Sequence, residues 1–75
     1  MNKARRKAIE KLINDLNYMR EKLGSLIGEE QDYLDNIPDR FTEKRERVEE
    51  ILDCLTGAEE LMLDVDTSLL QAIES

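Results

Sequence analysis

The sequence predicts an all-α fold, a two-helix antiparallel coiled-coil hairpin that dimerises into a four-helix bundle. Three observations predict it. Apolar residues recur at steps of three and four through two long segments of similar length. A single proline, Pro38, stands between those segments. Charged residues make up 39% of the chain and aromatics 4%, with no Trp and three Gly, the composition of long helices rather than of strands. With 75 residues there is room for one domain, residues 1–75, and a thin core. A chain this short gains more than a few kcal/mol of stability only with staples, metals or partners, so a homodimer is expected.

The first helix is predicted over residues 3–36. Ile9, Leu12, Leu16, Met19, Leu23, Leu26, Glu30, Tyr33 and Ile37 fall at its heptad a and d positions, and eight of these nine are apolar. Ile13, Ile27 and Leu34 each follow a d position. They widen the stripe beyond what one neighbouring helix covers, which implies a second neighbour. Gly24 and Gly28 are expected on the far side of this helix, each costing about 1 kcal/mol of helix propensity relative to Ala.

The turn is predicted over residues 37–42. Pro38 has no backbone N–H and disfavours the α conformation at Ile37, so the helix stops near Asn36. Ile37 and Phe41 are expected to plug the end of the core. Thr42 is the expected N-cap of the second helix, with Glu43 and Glu46 in its first turn near the positive end of the helix dipole.

The second helix is predicted over residues 43–73. Phe41, Lys44, Val48, Ile51, Leu55, Ala58, Met62, Val65, Leu69 and Ala72 continue the heptads, and nine of these ten are apolar. Leu52, Leu61 and Ile73 flank that stripe, Gly57 is a soft point, and Leu63 and Leu70 lie on another face. Folding the chain back at the turn is expected to pair Tyr33 with Val48, Leu26 with Leu55, Leu23 with Ala58, Met19 with Met62, Leu16 with Val65 and Leu12 with Leu69.

Charge supports folding back. Residues 1–11 carry five bases and one acid, and residues 48–66 carry seven acids and no base. The hairpin is expected to lay the basic start of the first helix beside the acidic second half of the other. Glu29, Glu30, Asp32 and Asp35 are expected near Arg40, Lys44, Arg45 and Arg47, and Glu30 and Lys44, the two polar stripe positions, are expected to pair and fix the register. Exposed pairs contribute only about 0–1 kcal/mol each, so charge selects orientation more than it adds stability.

Function is bounded mainly by what the residues exclude. A net charge of −7 argues against a generic nucleic-acid binder, whose affinity comes largely from neutralised phosphates. The lone Cys54 allows no internal disulfide framework, fits a reducing compartment, and is expected to be a buried or interfacial structural thiol. No apolar run is long enough to span a bilayer, and residues 1–11 lack the hydrophobic stretch of a signal peptide. The expectation is a cytoplasmic protein without a membrane partner.

The chain has no His, which removes the commonest general base and most transition-metal sites. Glu29, Glu30, Glu49 and Glu50 could converge in a bundle but lack the Glu-x-x-His pair of carboxylate metal bundles. Asp32, Asp35 and Asp39 lack the central glycine and closing glutamate of a calcium loop. No catalytic, cofactor or metal residue is predicted, and the expected role is non-enzymatic.

Two charged surfaces remain as candidates. Glu49, Glu50, Asp53, Glu59, Glu60, Asp64 and Asp66, with Leu63 and Leu70, form a candidate partner-binding surface whose acids imitate a phosphate backbone and suit a basic groove on a host protein. Lys3, Arg5, Arg6, Lys7 and Lys11 form the alternative, a nucleic-acid contact made by the basic helix of a dimer. A third reading is a purely structural oligomerisation module.

The segment Glu29-Glu30-Gln31-Asp32-Tyr33-Leu34-Asp35-Asn36-Ile37-Pro38, followed by Thr42-Glu43 and the acidic helix with Glu49-Glu50, resembles a group of small helical-hairpin proteins encoded mainly by phages and prophages of Gram-positive bacteria. In that group an Asp-Asn-Met/Ile-Pro turn precedes a Ser-Glu helix start. The likeness covers residues 29–66; Asp39-Arg40-Phe41 stands where the group has Glu-Asn-Leu, and Thr42 stands at the capping Ser. It implies a mobile-element context, in keeping with an accessory factor that binds and inhibits or redirects a host protein, and carries no site residue across.

Overall fold

The computed structural model describes residues 1–75 as two helices, α1 (Lys3–Asp35) and α2 (Thr42–Glu74), with no strand. Each has 33 residues and is therefore about 50 Å long. Extents of 59 × 15 × 11 Å are those of the two lying side by side. Contacts run in opposite numerical order along them: Arg45 reaches Leu34, Gly24 faces Glu59 and Arg20 pairs with Asp66. The pair is an antiparallel hairpin. Neither helix is long and apolar enough to cross a membrane.

Local chemistry explains the helix ends. At the start of α1, Asn2 is extended and its Oδ1 accepts from the Arg5 N–H at 2.8 Å, an N-cap that the heptad pattern does not reveal. At the other end the Asn36 N–H donates to the carbonyls of Asp32 and Tyr33, and its side-chain Nδ2 donates to the Asp32 carbonyl at 2.8 Å. The helix stops there because Pro38 follows two residues on. The Phe41 N–H then donates to the Pro38 carbonyl at 3.0 Å, closing a four-residue turn.

That tight turn changes the expected cap. Phe41 is the N-cap of α2, with no side-chain capping bond, and Thr42 is already the first helical residue. The connection is thus 36–41 rather than 37–42, because the hydrogen bond from Phe41 brings the chain into helical geometry one residue early.

The buried core consists of Leu34, Ile37, Val48 and Leu52, all at the turn end, with Ile27 packed against it. Ile37 plugs the core as expected, whereas Phe41 stays exposed. Arg45 seals this end from the side. Its Nη1 donates to the Ile37 carbonyl at 2.7 Å and the Leu34 carbonyl at 3.0 Å, and lies 4.0 Å from Asp39. A guanidinium thereby joins the Ile37 N–H on the Leu34 carbonyl and satisfies the Ile37 carbonyl just past the helix, where positive charge is favoured.

Beyond the core, the covered seam of α1 is Ile9, Ile13, Leu16, Arg20, Leu23, Ile27, Glu30 and Leu34, and that of α2 is Arg45, Val48, Leu52, Leu55, Glu59, Met62, Asp66, Leu69 and Ile73, with the small residues Gly24, Gly57, Ala58 and Ala72 also half-buried. Both step by three and four, but in a different phase from the expected stripes. Leu12, Met19, Leu26 and Tyr33 on α1, and Lys44, Ile51 and Val65 on α2, face solvent. The pairings expected through Tyr33, Leu26, Met19, Leu12 and Val65 therefore do not form closed seam layers. Of these residues, Leu12, Met19 and Val65 line, with Leu16 and Leu69, an open apolar groove beside the seam.

The phase has a geometric cause. Half the positions of each stripe move by one residue, which is 100° of helix, so the apolar stripe points about 50° away from the neighbouring helix. The part of the stripe turned away from the neighbouring helix is left on one outer side of the hairpin. Gly24 also departs from its expected place: it faces α2, where an added Cβ would lie 3.8 Å from Glu59 Oε2, while Gly28 opens to space.

Candidate functional site

The outer surfaces follow from the phase just described. On one flank, Leu12, Met19, Leu26 and Tyr33 of α1 lie beside Ile51, Ala58, Val65 and Ala72 of α2. Two observations put both rows on the same side: the groove shared by Leu12, Met19 and Val65, and Lys44 Nζ standing 5.4 Å from the centre of the Tyr33 ring. The four α1 residues are each 45–54% exposed, with Ile51 and Val65 comparably open. Together they form a row of large apolar side chains at heptad spacing, half open to water.

Three residues further along each helix lie the rim positions of this flank. On α1 these are Asp15, Lys22 and Glu29, and on α2 Cys54, Leu61 and Ser68, all exposed. Leu61, 67% exposed, is the most open large hydrophobic residue of the chain. Cys54 is exposed too, not buried as a structural thiol. It sits outside the seam because α2 turns Leu52 and Leu55 inward instead.

The opposite flank is polar. Asn17, Arg20, Glu21 and Glu59 line a groove there. The Arg20 Nη1 lies 3.8 Å from Asp66 Oδ2, with side chains 29% and 14% exposed, and Arg20 Nε and Asp66 Oδ1 have no partner. This is a polar layer of the seam, set between Leu16 and Leu23 on α1 and between Met62 and Leu69 on α2. The sequence marked Glu30 and Lys44 for that role instead, but Glu30 is half-buried without an ion pair and Lys44 leans on Tyr33.

The acidic surface is divided by the same rotation. Glu49, Glu50, Asp53, Glu60 and Asp64 are exposed on the outside of α2, with Leu63 and Leu70 exposed among them. Glu59 and Asp66 turn into the seam. The outward acids fall in two groups, Glu49, Glu50 and Asp53 near the turn and Glu60 and Asp64 farther along; Glu59 and Asp66 face α1.

Lys3, Arg5, Arg6, Lys7 and Lys11 are all exposed, and none forms an ion pair. Stepping nine residues back from Arg20 and nine forward from Asp66 sets Lys11 level with Ser75. The basic segment thus lies at the end opposite the turn, with Lys3, Arg5, Arg6 and Lys7 projecting past the last residues of α2, and not along the acids of residues 48–66 as expected. Nor do Glu29, Glu30, Asp32 and Asp35 pair with the bases near the turn; Arg45 meets Asp39 instead. No three acidic or thiol side chains converge as a metal site.

Arg45, Arg20 and the apolar flank are what heptad reading missed. The signal for Arg45 was present: stepping back by three from Val48 along the α2 seam lands on it. Comparison of the chain with protein-family models, with curated proteins and with solved structures gives no match.

Proposed function

We propose that the protein is a non-enzymatic binding factor that works as a homodimeric four-helix bundle and engages a basic surface on a protein target through the outward acids of α2. The observation that carries this reading is the apolar flank, Leu12, Met19, Leu26 and Tyr33 beside Ile51 and Val65. It points to where a second hairpin would complete the bundle. With that flank covered, the surface left on α2 is Glu49, Glu50, Asp53, Glu60 and Asp64 with Leu63 and Leu70, a rigid acidic helix face with two apolar anchors. In a mobile-element setting such a factor would bind and inhibit or redirect a host protein in the cytoplasm.

The test compares capture by the native chain with capture by a variant carrying Glu49→Gln, Glu50→Gln, Asp53→Asn, Glu60→Gln and Asp64→Asn. The expected result is a basic host protein retained by the first and lost from the second, with the oligomeric state of both unchanged. Equal capture by the two would remove the acidic face from the reading.

The unpaired basic segment supports a second reading, a nucleic-acid modulator. It predicts binding of RNA or DNA at about 50 mM salt that falls steeply as salt is added. Absence of binding at that ionic strength would exclude it.

A further inference from the structure

We infer that two hairpins join through the apolar flank with their turns at the same end, α1 of each lying on α2 of the other. This rests on the dimer proposed above and adds its orientation and register.

The contacts of Gly24 with Glu59 and of Arg20 with Asp66 set the levels within one hairpin. Tyr33 is level with Ile51, Leu26 with Ala58, Met19 with Val65 and Leu12 with Ala72. A twofold axis along the bundle keeps these levels across the interface. Leu12 then meets the partner's Ala72, Met19 the partner's Val65, Leu26 the partner's Ala58 and Tyr33 the partner's Ile51. Every contact sets a longer side chain against a shorter one, which lets both helix pairs approach to the same distance.

The other closed arrangement has its twofold across the bundle and turns at opposite ends. It lays α1 on α1, so Leu12 meets the partner's Tyr33 and Met19 the partner's Leu26. On α2 it sets Ala58 against the partner's Val65 and Ala72 against the partner's Ile51. Large pairs hold one side of the interface apart while small pairs leave the other loose.

The rim charges favour the same choice. With turns opposed, Lys22 meets the partner's Lys22 and Asp15 the partner's Glu29, all like charges. With turns together, Asp15 meets the partner's Ser68, Lys22 the partner's Leu61 and Glu29 the partner's Cys54. No like charges touch, and the methylene stem of Lys22 covers the most exposed leucine of the partner. The two basic ends do come together, but their side chains are exposed and screened beyond about 8 Å at physiological ionic strength.

The size is adequate. From Leu12 to Tyr33 the flank is about 32 Å long, and the hairpin is 15 Å wide. The area covered on both copies is then roughly 1,000 Å², the lower bound for a specific interface.

Disulfide trapping tests the orientation. Glu29→Cys with Cys54 retained is expected to give a covalent dimer on mild oxidation, its peptide map showing position 29 joined to Cys54. Within one hairpin those positions lie on outer edges of different helices, beyond the roughly 4 Å Cβ separation that a disulfide needs. Lys22→Cys with Cys54→Ser is the opposing arm: it cross-links to its own copy only if the turns are opposed, so a covalent dimer there and none from Glu29→Cys overturns the proposal. A dimer by sedimentation that neither variant traps overturns the register and leaves the dimer standing. A monomer across micromolar concentrations overturns both.

Discussion

Arg45 sits in the first turn of α2, yet its hydrogen bonds serve the end of α1. Its Nη1 donates to the carbonyls of Leu34 and Ile37, both among the buried residues of the core. Hydrogen bonds to a charged donor contribute about 1.5–3 kcal/mol when partly buried. Arg45→Ala is therefore expected to lose about 2 kcal/mol in urea unfolding, with Arg45→Lys keeping part of it because an ammonium retains the charge and the donors on a shorter side chain. The Arg20–Asp66 layer calls for the opposite remedy. Its long contact and two unpartnered atoms offset little of the desolvation of the charges. Replacing both by Leu should raise stability by about 1–2 kcal/mol, whereas replacing Arg20 alone should lower it by leaving Asp66 unpaired. A double-mutant cycle in urea measures both effects. Neither arginine stood out in the sequence, because the expected stripes run through Met19 and Lys44 and leave Arg20 and Arg45 one residue off the seam.

At the scale of the helices, existence and extent were legible to within a residue or so, since the heptads are nearly unbroken and Pro38 punctuates them. The face of each helix toward the other was not. Heptads report which residues avoid water, and here the avoiding stripe is wide enough to serve two neighbours. Only the pairing of Arg20 with Asp66 and the burial of Leu34 and Leu52 reveal which edge of the stripe the hairpin uses. The acidic candidate surface was legible as a composition of α2, but the loss of Glu59 and Asp66 to the seam depends on that same phase. The glycines carry a cleaner expectation. Gly28 and Gly57 are helical, and nothing lies within 4 Å of where a Cβ would stand. Gly28→Ala and Gly57→Ala should each stabilise by about 1 kcal/mol in thermal melts.

For the whole molecule, four buried residues in 75 make a thin core for a free-standing domain. The apolar flank carries what the hairpin leaves unburied. Met19→Glu combined with Leu26→Glu should give a monomer in sedimentation with a lowered melting temperature, since both residues lie at the middle of that flank. Leu63→Ser combined with Leu70→Ser, on the other side of α2, should leave the oligomer unchanged. If the first variant remains a dimer, the flank is not the interface.

The position of the core beside the turn also bears on how the chain gets there. The Arg45 bonds close loops of only 8 and 11 residues, while the Arg20–Asp66 contact lies far up the hairpin. Loop-closure entropy therefore favours starting at Pro38 and zipping outward, each seam layer shortening the loop for the next. Amide hydrogen exchange should accordingly be slowest from Leu34 through Leu52 and quicken steadily toward Lys3 and Glu74. Mutations near the turn should slow folding, and those toward the far end should mainly speed unfolding.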